Sequence, residues 1–270
     1  MTRLDQELVR RALARSRTDA ARLIAEGLVS RAGQVVTKAA IQVSETDQID
    51  VDPSGAAEFV SRAGHKLAGA LDIFRDVKVA GRRCLDAGAS TGGFTDVLLK
   101  RGAAHVVAVD VGHNQLVPEL REDPRVDVHE GMNVRFMKPS DINGEAELTV
   151  ADLSFISLTL VVGPLSECTR PGGDLVLMVK PQFEVGRENL SRTGVVSSTR
   201  ERQRAVTSVA NAAFDAGLQL CGLAQSPLPG QDGNVEYFLW MKRRETQSLP
   251  KIEARDAEVA SLLAEIWPTN

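Results

Sequence analysis

Residues 85–95 read LDAGASTGGFT. The apolar segment RCLDA (83–87) runs into them, and a stretch with apolar residues at helical spacing (93–101) leaves them. The passage is therefore a strand, a glycine-rich turn and a helix. Gly88 and Gly92 remove the Cβ atoms that would keep backbone away from a ligand, and Gly93 opens the helix. Working outward, strands are expected at 83–87, 105–111, 125–129, 147–152 and 174–180, separated by helices at about 93–101, 114–121, 157–168 and 199–216. HVVAVDV and DLVLMVK are near-continuous apolar runs, as strands covered on both faces require. This alternation predicts a doubly wound, mostly parallel α/β sheet. Strands at 218–226 and 235–242 have no helix between them and form an antiparallel pair at one edge, and a helix at 251–266 packs back onto the body.

Upstream, the pattern differs. A helix over 5–14 uses Leu4, Leu8 and Ala12; Ser16 and Asp19 form a capping box for a second helix that Gly27 ends. Residues 28–36 fold as two short strands around Ala32-Gly33, and 44–57, acidic with Pro and Gly, reads as a linker with at most one strand at Ile49–Val51. Ser61 caps a further helix carrying Leu67, Ala70, Leu71 and Phe74. The expected domains are a small α+β unit at 1–55, a linker at 56–62 and the α/β domain at 63–270. Residues 1–43 hold eight Arg or Lys against four acids, so the remainder of a chain of net charge −4 carries about −8. A basic module on an acidic body suits local attraction to a polyanion. The chain opens without an apolar leader, has no apolar run of ~18 residues, and its three cysteines show no ligand spacing, which points to a reduced, cytoplasmic protein without a metal. No exposed apolar stripe calls for a partner subunit, so a monomer is expected.

In such a sheet the ligand lies beyond the carboxyl ends of the strands. Asp110 ends the second strand, 22 residues after Gly88, where a carboxylate accepts ribose hydroxyls. A dinucleotide site wants G-x-G-x-x-G, but from Gly88 the order is G-A-S-T-G-G, with Ser90 in place of the second glycine. S-adenosylmethionine needs only the close loop and the ribose carboxylate, and is favoured over a dinucleotide. Gly88, Ser90, Thr91, Gly92, Gly93, Phe94, Asp110, Asn133 and Asp152 are its candidate contacts.

Four further groups stand where this fold converges: Lys66 on the helix before the first strand, Asp152 and Lys180 at the ends of the fourth and fifth, and Glu236 on the last. A partly desolvated lysine near a second cation loses its proton more readily. Lys180 could then accept the proton of a ribose hydroxyl, with Lys66 supplying the like charge and the two acids orienting the amines. A base nitrogen or C5 remains an alternative methyl acceptor. The turn after strand four is Asp-Leu-Ser-Phe, however, and lacks the prolines of amino-directed enzymes, and no cysteine is placed for C5 chemistry.

SRAGHKL, LDAGASTGGFT, VADLSFISL, MVKPQFE and GNVEYFLW, in this order, resemble the TlyA family, also called hemolysin A: ribosomal RNA 2′-O-methyltransferases with an FtsJ-like catalytic domain. The segment ARSRTDAARLIAEGLV resembles an S4 RNA-binding domain. The resemblance implies a Rossmann-like S-adenosylmethionine-dependent methyltransferase and a Lys-Asp-Lys-Glu tetrad at Lys66, Asp152, Lys180 and Glu236. It further implies cytidine 2′-hydroxyls in the rRNA of 30S and 50S subunits as substrates, with sensitivity to capreomycin and viomycin as a consequence. Arg3, Arg10, Arg11, Arg15 and Arg17 would meet rRNA phosphates. Phe59 stands where the family's linker commonly has Trp.

Overall fold

The computed structural model describes residues 2–25, 27–52, 58–186, 190–191, 193–230, 232–245 and 252–268. The chain divides into two compact units, Met1–Glu58 and Phe59–Asn270. Of the linker expected at 56–62, residues 56 and 57 lie outside the described residues.

The first unit contains β1 (Thr2–Arg3), α1 (Leu4–Arg10), α2 (Arg17–Ala25), β2 (Val29–Arg31), β3 (Gln34–Val35), β4 (Gln42–Val43) and β5 (Ile49–Val51). Helix α1 is shorter than its apolar spacing predicts, because Ala12 takes a left-handed φ of 56° and turns the chain. Half of the capping box forms: Asp19 N–H donates to Ser16 Oγ at 3.1 Å, while the Asp19 carboxylate accepts at 3.1 Å from the N–H of Arg15, one residue before the cap. Ala32 and Gly33, both at positive φ, close the β2–β3 hairpin. β5 pairs antiparallel with β2, so Ile49–Val51 is a strand of this module's sheet and not part of a linker. The pairing buries Ile49 with Leu4, Leu8, Ile24 and Val29.

The second unit begins with α3 (Arg62–Ile73) and continues with β6 (Arg83–Ala87), α4 (Gly93–Lys100), β7 (His105–Asp110), α5 (Pro118–Arg121), β8 (Val126–Glu130), β9 (Ala146–Ala151), α6 (Val162–Glu167), β10 (Thr169–Val179), α7 (Thr199–Asp215), β11 (Leu218–Gln225), β12 (Tyr237–Arg243) and α8 (Ile252–Ala264). Seven strands form one sheet in the order β11-β12-β10-β9-β6-β7-β8. β6 through β10 pair in parallel, and β12 runs antiparallel to both β10 and β11. The last strand therefore inserts between β10 and β11, leaving β11 at the edge. Being reversed, β12 begins at the edge where the parallel strands end, which brings Glu236 to the same rim as Asp110, Asp152 and Lys180. Two apolar layers cover the sheet. One includes Leu85, Val107, Leu177 and Leu239, and the other includes Leu98, Val106, Leu148 and Phe238. The order reverses between β6 and β9, so the switch point lies beside the glycine turn. Among the described residues no helix is long and apolar enough to cross a membrane.

Candidate active site

The turn after β6 is shaped by three residues in the left-handed region: Gly88 (φ 87°), Ser90 (φ 48°) and Gly92 (φ 100°). At Gly88 there is also no room for a side chain, since a Cβ would lie 2.7 Å from the Asp152 carbonyl oxygen. Ser90 adopts a conformation that glycine takes more easily, and Asp110 supports it: Ser90 N–H donates to Asp110 Oδ2 at 2.8 Å while Gly112 N–H donates to Oδ1 at 2.7 Å. The Ser90 hydroxyl donates to Gln115 Oε1 at 3.2 Å. Gln115 was not anticipated, because a polar residue in a loop gives no periodic signal.

Two clefts adjoin the turn. One of about 440 Å³ is bordered by Gly88, Ser90, Asp110, Gln115, Asn133 and Asp152. The other, about 310 Å³, is bordered by Thr91, Gly93, Phe94, Asp152, Ser154 and Lys180. Phe94 reaches this cleft only at its margin, since its ring is buried against Phe238 with centroids 6.1 Å apart. The Asn133 side chain accepts from Arg135 N–H at 3.0 Å and caps the 3-10 turn Val134–Phe136.

The four groups singled out by their strand-end positions form two ion pairs. Lys180 Nζ lies 2.6 Å from Asp152 Oδ1 and donates to Ser154 Oγ at 2.9 Å. Both side chains are only slightly exposed, 11% and 17%. Lys66 Nζ donates to Glu236 Oε2 at 2.6 Å, and this pair is buried. No direct contact joins the two pairs among the described residues. Gln182, two residues beyond Lys180, donates to Glu236 Oε1 at 3.5 Å. The 3-10 turn Pro181–Phe183 is fastened to the segment after β9: Phe183 packs on Phe155 with centroids 5.3 Å apart, and Glu184 accepts from Ser157 Oγ and from Leu158 N–H. Burial raises the Glu184 carboxyl above its ordinary range.

Beneath the turn, Asp86 is fully buried. Thr95 Oγ1 donates to its Oδ2 at 2.7 Å, and Oδ1 has no hydrogen-bond partner. Desolvation pushes its pKa up to about 7, with the nearby Asp152 and Asp110 charges adding to the rise.

In the first unit, several of the arginines rest on two buried carboxylates that the charge count alone does not locate. Asp5 pairs with Arg3 and Arg17, and Glu7 with Arg10 and Arg11. These hydrogen bonds lower both acids to about 2. Arg11 also donates to the carbonyls of Ser44, Glu45 and Asp47, so its guanidinium braces the module from inside. Arg3, Arg10 and Arg17 keep 41%, 52% and 60% of their side chains exposed, and Arg15 is exposed.

Residues 59–243 match the FtsJ-like methyltransferases and residues 2–49 match the S4 domain. The chain is 51% identical, over 94% of its length and 95% of the relative's, to the 16S/23S rRNA (cytidine-2′-O)-methyltransferase TlyA of Mycobacterium tuberculosis. It is 38% identical to Hemolysin A of Brachyspira hyodysenteriae, over 87% of this chain and 98% of that one. The solved structure of a candidate hemolysin from Streptococcus thermophilus superposes with a TM-score of 0.72 at 35% identity, covering 98% of this chain and 96% of the other.

Proposed function

The chain belongs to the FtsJ-like methyltransferases, in the TlyA family that also carries an S4 domain, and on that premise we propose that it methylates the 2′-hydroxyl of cytidine in ribosomal RNA. The methyl donor is S-adenosylmethionine. The site suits it in two respects. Gly88 holds backbone where no Cβ fits, and the carboxylates of Asp110 and Asp152 border the cleft, matching a ligand that combines vicinal hydroxyls with positive charge. Gly88, Ser90, Thr91, Gly92, Gly93, Asp110, Asn133 and Asp152 would hold it, with Phe94 contributing at the margin.

When bound, the cofactor would supply an electrophilic methyl group on a sulfonium to the sugar oxygen and keep the C–S electron pair, which leaves the hydroxyl proton for this chain to accept. The observation that carries the reading is the placement of the Lys180 amine, at the rim of the cleft and held by Asp152. Lys180 Nζ is the acceptor for that proton. It is the lone pair of the free amine that takes the proton. Asp152 then stabilises the ammonium as it forms. Lys66 and Glu236, joined to the Lys180 turn through Gln182, complete the tetrad as a rigid, charged support.

The substrates of the mycobacterial relative, 16S and 23S rRNA, are those we assign here, within 30S and 50S subunits in the cytoplasm. Loss of the modification would lower sensitivity to capreomycin and viomycin. The exposed arginines of the S4 unit, Arg3, Arg10, Arg15 and Arg17, would meet phosphates, which position the enzyme without specifying sequence. The enzyme would act as a monomer of two domains. Labelled S-adenosylmethionine, incubated with enzyme and purified subunits and followed by digestion to nucleosides, tests the assignment. Label in 2′-O-methylcytidine, at a site resistant to alkaline cleavage, is the expected result. Label on a base would refute it.

A further inference from the structure

The Lys180 amine has two partners, and only one of them belongs to the tetrad. Besides the 2.6 Å contact to Asp152 Oδ1, it donates to Ser154 Oγ at 2.9 Å. We propose that Ser154 is a positioning residue that fixes the direction in which the Lys180 lone pair points.

The argument is one of valence. An uncharged amine carries Cε, two N–H bonds and one lone pair at the four corners of a tetrahedron. Asp152 Oδ1, 2.6 Å from the amine but without hydrogen-bond geometry, repels the lone pair by its charge and does not by itself fix the rotation about Cε–Nζ. Ser154 Oγ accepts one N–H in a directed hydrogen bond, and the two together leave the lone pair the corner turned away from both. Lys180, Asp152 and Ser154 all border the cleft beside the glycine turn. The Ser154 acceptor and the Asp152 charge are both in place for the ammonium that forms when the proton arrives, and a hydrogen bond from a charged donor is the stronger kind.

The structure also keeps Ser154 still. Its neighbour Phe155 is held at φ 65°, its ring tilted against that of Phe183. Three residues further on, Glu184 receives the Ser157 hydroxyl and the Leu158 N–H. Two contacts thus tie the segment after β9 to the turn that bears Lys180, with Ser154 between Asp152 and the anchored part. Ser154 is exposed and serves no core packing, so its removal costs the fold little.

The inference rests on Lys180 being the base, and the experiment separates the two. Ser154→Ala, Ser154→Thr and Lys180→Ala are compared in the full chain. The measurements are melting temperature, S-adenosylmethionine affinity, and kcat and KM for methyl transfer to ribosomal subunits. Ser154→Ala is expected to lower kcat by about ten- to a hundredfold, as loss of one charge-assisted hydrogen bond would. Cofactor affinity and KM should stay within about twofold, and Ser154→Thr, which keeps the hydroxyl, should recover most of kcat. Wild-type kcat in Ser154→Ala beside an inactive Lys180→Ala would overturn the role of Ser154 and leave the base in place. Activity in both variants would overturn the base itself. Lost cofactor affinity with unchanged kcat would make Ser154 a cofactor contact, and the proposal would again fail.

Discussion

At the scale of single residues, the site combines a carboxyl kept from water with a lysine–glutamate pair kept from water, and the two have opposite consequences. Asp86 binds a proton in the folded state up to about pH 7, whereas an unfolded aspartate has lost it by about pH 4. The Asp86 contribution to folding stability is therefore full below about pH 4, falls as pH rises from about 4 to about 7 and is gone above that. At ~1.4 kcal/mol per pH unit the total is about 4 kcal/mol. Asp86→Asn should remove that contribution, so the loss of stability between pH 5 and pH 8 in urea denaturation would be much smaller than in the wild type, with only the raised Glu184 carboxyl still adding to it. A slope as steep as in the wild type would show that Asp86 is not its source. The Lys66–Glu236 pair is different, since removing one partner strands the other charge. Glu236→Ala should cost about 3–5 kcal/mol. The double variant Lys66→Met with Glu236→Leu should recover most of that stability while methyl transfer stays lost. Full activity in the stable double variant would reduce the pair to scaffolding.

At the scale of elements, the reversed strand β12 and the helix α8 do the arranging. β12 starts where the parallel strands end, and only for that reason does Glu236 share a rim with Lys180. Helix α8 covers β11, the sheet's edge. Glu258 accepts from Leu220 N–H at 2.5 Å and Glu265 from Leu223 N–H at 2.8 Å, so two backbone donors that would otherwise face outward are satisfied by carboxylates. Val259 and Leu262 join the core beneath. Ending the chain at Arg244 should lower stability by about 3–6 kcal/mol, the worth of two buried aliphatic side chains. It should also produce concentration-dependent association in sedimentation velocity through the uncovered edge. A truncated chain that melts with the wild type and stays monodisperse would contradict this.

Strand and helix order was legible at this scale because β7, β9 and β10 contain apolar runs and the longer helices between strands have an apolar face. The insertion of β12 between β10 and β11 was not legible, since strand order depends on contacts between distant residues. The early end of α1 was also hidden. Apolar spacing continued to Ala12, and the left-handed turn there carries no glycine to announce it. Likewise, residues 44–57 read as linker with at most one strand, since acids, Pro53 and Gly55 surround Ile49–Val51 and nothing in the local pattern announces that this strand pairs upstream with β2.

At the scale of the whole molecule, two units with different charge carry different tasks: a compact S4 unit with arginines on buried acids, and an α/β unit with a carboxylate-lined cleft. The strand-end positions of Asp110, Asp152 and Lys180 could be read from the sequence because each follows an apolar run. That Lys66 chooses Glu236 and Lys180 chooses Asp152 could not, nor could the roles of Ser154, Gln115 and Gln182, which depend on distances between loops. The proposed function turns on a single amine at the rim of the cleft, Lys180, assigned as the acceptor of the sugar's proton. The most direct test uses the intact chain, purified ribosomal subunits and tritiated S-adenosylmethionine, comparing wild type with Lys180→Ala. The account predicts cofactor binding within about twofold and transfer reduced by at least ~100-fold. Transfer near the wild-type rate in a variant that still binds cofactor would contradict it.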